Sequence, residues 1–283
     1  IIDKGGANGI VHKFSIINDK ELDRLDTKRR KGIICLDVYE KYIVCGFNDG
    51  YIAIIDEKKA VELKEQYHKS AVIAIKIVKA INKDNVLEFI SSDMEGNVFY
   101  LKYKDSFITS KFEKEVDVLT NLQVPIYLID SFYYGNNQER IDIKKEKKKD
   151  IYSIIILASL EMVYFFQLRP NPQIIFKYPK PKILSEENLI QDIAIGRGYV
   201  PMSRAQQKIR DSLNNTIYMD YSMEVTLFVV SWGNTIKIFS PVISMGHTAK
   251  IQLCAHFVND KPILRIGFLS SNYIYMIDNH FCL

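Results

Sequence analysis

Apolar and polar positions alternate along this chain in short blocks separated by polar turns. Tyr42-Ile43-Val44-Cys45 is an apolar run, Phe47-Asn48-Asp49-Gly50 interrupts it, and Tyr51 to Ile55 resumes it. Apolar blocks of about four to eight residues bounded by turn residues read as strands. Asp-Gly between two such blocks is the strongest short-range hairpin signal, because glycine takes positive φ without steric cost. About 46 positions later the arrangement returns in Ser91-Ser92-Asp93-Met94-Glu95-Gly96-Asn97-Val98-Phe99-Tyr100-Leu101. Gly96 stands where Gly50 stood, Glu95 where Asp49 stood and Val98 where Ile52 stood. Two degenerate copies of a hairpin at this period predict a repeat of small sheets, the blades of an all-β propeller.

The other blocks extend the series. Residues 10–17 predict a strand of an earlier blade, and the charged stretch 19–31 an exposed connection. Residues 33–38 start the first full blade, the 42–55 hairpin continues it and 60–63 ends it. A second blade takes 72–78, 87–91, 97–103 and 107–112. A third takes 116–121, 152–159 and 162–168, with Leu160-Glu161 as a turn without glycine. Residues 170–181, punctuated by prolines, can supply a connection and at most an edge strand. Residues 189–195 begin a fourth blade. Its clearest hairpin is 225–231 with 235–239 around Trp232-Gly233-Asn234, and 251–257 is outermost. Residues 263–269 and 273–277 begin a fifth. Two insertions interrupt the pattern, 134–150 and 197–221. The first ends in the lysine-rich IDIKKEKKKD, which reads as a solvated expansion. Its functional alternative is weak contact with an anionic membrane surface, worth about 1 kcal/mol per lysine. The second opens on Gly196-Arg197-Gly198, read as a turn, and contains a short polar helix over 202–213. The expected fold is one propeller domain over 1–283, with about six or seven blades in full and strands still to come from outside this stretch.

Composition changes little in that picture. The chain is 47% hydrophobic, ample for a large core. Tyr and Phe abound while Trp occurs once, which suits strands. The net charge of +4 is too mild for the concentrated basic face of a nucleic-acid binder, so no nucleic acid is expected as a partner. The four cysteines have no metal-type spacing. Cys35 and Cys45 fall on expected strands as small apolar residues, which favours a reducing compartment. There is no signal-peptide pattern and no apolar run long enough to span a bilayer. Because the chain opens in mid-pattern without Met, it is expected to be a segment of a longer protein.

The chemistry is sparse. His12, His68, His247, His256 and His280 are scattered, and nucleophile-elbow, phosphate-loop and dinucleotide motifs are absent. No catalytic, cofactor-binding or metal-ligating residue is assigned, no cofactor is expected, and the chain is read as no enzyme. A propeller enzyme whose site is dispersed over a central channel is the alternative of another class. Asn214-Asn215-Thr216 matches a glycosylation sequon that has no meaning in a cytosolic chain. His68 stands just before the strand at 72–78. In WD-type repeats a histidine there reaches an acid in the hairpin turn, and Trp-Asp ends the third strand. Here Ile55-Asp56 replaces Trp-Asp and Glu95 holds the turn position. A plain exposed loop histidine is the other reading of His68.

In order and spacing, Cys45 to Asp56, His68-Lys69-Ser70-Ala71-Val72 and Ser92 to Phe99 resemble the propeller of the vacuolar-protein-sorting subunit eight family. Ile156-Leu157-Ala158-Ser159 with Gln167-Leu168-Arg169-Pro170, then Val229 to Ile236, and finally Phe268-Leu269-Ser270 with Ile274 to Asp278 fit it too. That family is the WD-like subunit of the CORVET endosomal tethering complex. The resemblance implies a parent protein in which a solenoid and a zinc module follow the propeller. It also implies a role in protein transport: linking an early-endosomal Rab GTPase to the other tether subunits from the cytoplasmic side of endosomal membranes. The propeller of the HOPS tether or of a coat subunit is the neighbouring alternative. The lysine-rich insertion and the long loop after Gly198 depart from the pattern.

Overall fold

A computed structural model describes residues 2–15, 17–18, 20–56, 61–78, 86–105, 110–134, 152–181, 191–201, 222–242, 248–270 and 273–278. Every regular element in them is a β-strand, and every ladder is an antiparallel meander. The chain divides into two compact units, Ile1–Tyr178 and Pro179–Leu283.

The first unit holds four sheets. One is three-stranded: β1 (Ile2–Gly5), β2 (Ile10–Ser15) and β3 (Lys20–Asp26). Three are four-stranded. They are β4 (Ile33–Tyr39), β5 (Tyr42–Phe47), β6 (Tyr51–Asp56) and β7 (Val61–Gln66); then β8 (Val72–Val78), β9 (Val86–Asp93), β10 (Val98–Asp105) and β11 (Ser110–Leu119); then β12 (Leu128–Tyr134), β13 (Tyr152–Ala158), β14 (Met162–Arg169) and β15 (Gln173–Pro179). The second unit holds β16 (Gln191–Pro201), β17 (Ser222–Trp232), β18 (Thr235–Val242) and β19 (Lys250–Val258), with a two-stranded sheet of β20 (Ile263–Ser270) and β21 (Tyr273–Asp278).

In the first unit β5, β6, β9 and β10 are apolar at both parities because sheets cover both of their faces. On one face of β5 and β6, Val44, Ile52 and Ile54 pack with Val72, Phe89 and Leu101 of the following sheet. On the other, Ile43, Cys45, Phe47 and Ala53 pack with Val11 of the preceding one. The same stacking joins Ile90 and Tyr100 to Ile155 and Phe166, and in the second unit Val229 and Ile238 to Ile263 and Ile266. A strand buried on both faces reads as a continuous apolar run, which is how β5 and β6 read.

Four expectations need correction. Residues 19–31 do not form a connection throughout: Lys20–Asp26 is β3, pairing Leu25 with Val11 and Arg24 with His12. Its side chains are nearly all exposed, so charge masks the strand. Residues 116–121 do not open the third blade, because Val116 to Leu119 complete the ten-residue outer strand β11. That strand carries irregular register against β10, and β12 opens the third sheet instead. Gly196-Arg197-Gly198 is no turn but part of β16, paired with Leu227, Thr226 and Val225, so residues 197–201 of the expected second insertion are strand. Gly196 is small because the Phe268 ring packs against its backbone. Finally, β1 and β2 form a hairpin that was not expected. The expected helix at 202–213, the lysine run at 144–149 and the sequon at 214–216 lie outside the described residues.

Candidate interaction surface

At one end of the first unit, hairpin turns and inter-sheet loops interlock. Gly9, Gly50 and Gly96 have φ of 77°, 84° and 78°. A side chain at each would overlap a carbonyl of the adjoining loop: Arg29 for Gly9, His68 for Gly50 and Val124 for Gly96. The approach is close because the backbones are hydrogen-bonded. Thr27 N–H donates to Gly9 O at 3.1 Å, His68 N–H to Gly50 O at 3.2 Å, and Gln123 N–H to Glu95 O at 3.1 Å. Asn48 N–H reaches back to Gly32 O and Met94 N–H to Ala71 O. The turn at Leu160-Glu161 lacks glycine, and there the Ser159 hydroxyl accepts the N–H of Glu161 and of Met162. In the second unit, Gly233 and Asn234 accept the N–H groups of Ile263 and Asn259 in the same manner.

His68 anchors this rim. It is 2% exposed, which excludes the loop-histidine reading. Its Nδ1 lies 2.9 Å from Asp93 Oδ2 and its Nε2 2.8 Å from Ser91 Oγ. An ionised carboxylate only accepts, so Nδ1 carries the proton toward Asp93, and in the neutral ring the Ser91 hydroxyl donates to Nε2. The imidazole stacks on Phe99 at 4.6 Å. Asp93 Oδ1 accepts the backbone N–H of Glu95 and of Asn97, at 3.0 and 2.9 Å. Burial pushes the Asp93 carboxyl pKa up, but the hydrogen bonds from His68 and Asn97 outweigh it and hold the pKa below the usual carboxylate value. The turn acid is therefore Asp93, and Glu95 points to solvent. One blade earlier, Arg29 occupies the place of His68: it pairs with Asp49 and lies over the Tyr51 ring at 3.4 Å. Asp56, the remnant of Trp-Asp, is buried and receives Lys41 Nζ at 2.7 Å.

Carboxylates also join neighbouring sheets. Asp37 on β4 accepts the Ile77 N–H of β8 at 2.7 Å, and Asp192 on β16 accepts the Ile266 N–H of β20 at 3.0 Å. Lys76 Nζ lies 3.3 Å from Asp130. Buried Glu88 binds Arg169 at 2.7 Å and the Tyr100 hydroxyl. Burial pushes the Cys35 thiol up to about 12 and raises that of Cys45 as well, so both stay protonated. They face opposite sides of their sheet, with Cys35 packed against one apolar cluster and Cys45 inside the other. Among the described residues, no three His, Cys, Asp or Glu side chains converge as a metal site. The rim presents a backbone fixed by hydrogen bonds, on which Lys28, Arg30, Lys31, Lys69, Met94 and Glu95 are exposed.

Stacked four-stranded meanders, glycine turns clasped by the next loop and a buried His–Asp–Ser node define the class: a degenerate WD-repeat β-propeller, a scaffold for protein interactions. Within that class the chain belongs to the Vps8 β-propeller family, whose model matches residues 21–283. It is similar in fold to Sqt1 of Saccharomyces cerevisiae, at 10% identity and a TM-score of 0.56, covering 96% of this chain and 64% of that one. A chain of the mitotic checkpoint complex gives 11% and 0.53, covering 99% and 68%. The WD40 propeller domain of Doa1 gives 10% and 0.50, covering 99% and 72%. At such identities the likeness is one of fold. The chain thus spans between 64% and 72% of these solved chains. No curated protein matches it in sequence. No helix among the described residues is long and apolar enough to cross a membrane.

Proposed function

We propose that this chain is a non-enzymatic interaction module of an endosomal membrane-tethering complex, in which both compact units form one propeller domain. In this reading it works in the cytoplasm, peripherally on endosomal membranes, and links an early-endosomal Rab GTPase to the other CORVET subunits. The observation that carries the reading is the family match over 21–283, supported by a rim whose frame leaves its outward side chains free for partners. Affinity purification of the intact protein from its own cells, with mass spectrometry of what accompanies it, tests this. Recovery of shared tether subunits together with a Rab is the expected result. Recovery of HOPS-specific or coat subunits moves the chain to another trafficking scaffold. Recovery of no trafficking protein overturns the role and directs attention to the channel-site enzyme.

A further inference from the structure

The basic surface that the fold organises differs from the lysine run at 144–149. Lys28, Arg30 and Lys31 are exposed on the loop joining β3 to β4, and Lys69 is exposed on the loop joining β7 to β8. The hairpin turn at Asn48 to Gly50 lies between these loops and bonds to both, through Asn48 N–H to Gly32 O and His68 N–H to Gly50 O. Four exposed cations are thus carried by the two loops that flank one turn. Arg29, from the same loop, is spent on Asp49 and Tyr51 and belongs to the frame. Among the described residues the ammonium groups of Lys28, Lys31 and Lys69 pair with no carboxylate; Asp26 accepts the Lys28 backbone N–H at 2.7 Å and lies 3.9 Å from Arg30, whose side chain is 74% exposed. Further along the rim, Met94 and Tyr127 are exposed on the next turn and loop, which are tied together through Gln123 N–H and Glu95 O. Glu95 stands in this second sector, so the charge changes sign along the rim.

We propose that this rim docks an extended acidic segment of a partner protein, its carboxylates over Lys28, Arg30, Lys31 and Lys69 and an apolar anchor over Met94 and Tyr127. Charge complementarity selects the partner: exposed cations that outnumber the acids beside them, on a fixed backbone, favour carboxylates, and a flanking apolar sector favours a peptide over a purely anionic surface. The inference rests on the reading of the chain as an interaction module. Co-purification of the unaltered protein tests that reading separately.

The probe is a fluorescent glutamate-rich peptide with two leucine anchors, with its lysine-rich counterpart as control, titrated against the intact protein. The glutamate peptide should bind and the lysine peptide should not. The combined variant Lys28→Glu, Arg30→Glu, Lys31→Glu, Lys69→Glu should weaken binding about ten-fold or more and flatten its salt dependence. Met94→Ala with Tyr127→Ala should weaken binding and keep the salt slope. If charge reversal lowers the melting temperature, Lys31→Gln with Lys69→Gln replaces it, with a smaller loss in the same direction. Absence of peptide binding, or equal affinity in the folded variant, overturns the proposal. So does binding to phosphatidylserine vesicles that the variant loses while the peptide does not bind, because the surface is then one for lipid.

Discussion

His68 has both ring nitrogens committed and one face covered, so removing it strips partners from a buried carboxylate and a buried hydroxyl. His68→Ala should destabilise the fold by about 3 kcal/mol in chemical denaturation, the scale of a broken buried pair. Phe99→Leu, which removes only the stack, should cost about 1 kcal/mol. Asp93 sets a pH dependence. Its folded pKa is depressed, so its stabilisation is present above the ordinary carboxyl value of 3.8 and is lost as pH falls through the folded value. Asp93→Asn should lower stability at neutral pH yet lose less of it on acidification below about pH 4, as read by urea midpoints across pH. The His68 position was legible in the sequence, and its partner was misassigned. Counting back from the glycine aligns Glu95 with Asp49, but the acid that folds onto its own turn is Asp93, whose carboxylate caps Glu95 and Asn97. Ser91 and Phe99 carried no signal because alternation in a strand does not say which residue faces a distant loop.

The hairpin turns are constrained by what approaches them. Gly50→Ala and Gly96→Ala each combine positive φ with overlap onto a neighbouring carbonyl. Each should cost about 2 kcal/mol or more, and unchanged melting would contradict the clasp. Asp37→Ala leaves the Ile77 N–H without its acceptor and should cost about 1 kcal/mol, recovered in part by Asp37→Asn. Interior strands were readable because burial on both faces writes them in apolar residues. Outer strands were not: β3 is composed largely of charge, and β11 is long, charged and irregular in register. The β1–β2 hairpin should have been found, since Asn8-Gly9 is as strong a turn signal as Asp49-Gly50. Only its short first strand, rich in polar and glycine residues, obscured it.

Among whole sheets, the outermost strands differ in how they resist association. β3 and β11 carry acids and bases along their length, whereas β19 has a single full charge, Lys250, and exposes Leu253, Phe257 and Val258. Edges guarded by charge resist pairing with other chains. Phe257→Lys should therefore reduce concentration-dependent self-association in light scattering while shifting stability by no more than about 0.5 kcal/mol. The repeat and the fold class were legible from two hairpins. The rim was not, since its parts lie dozens of residues apart and meet only when sheets stack. Most of that rim is fastened by peptide groups, and any residue supplies a peptide group. Lineages can therefore exchange nearly every outward residue there without losing the frame, which leaves the surface free to acquire new specificities and leaves ancestry recorded in loop geometry after the letters have diverged.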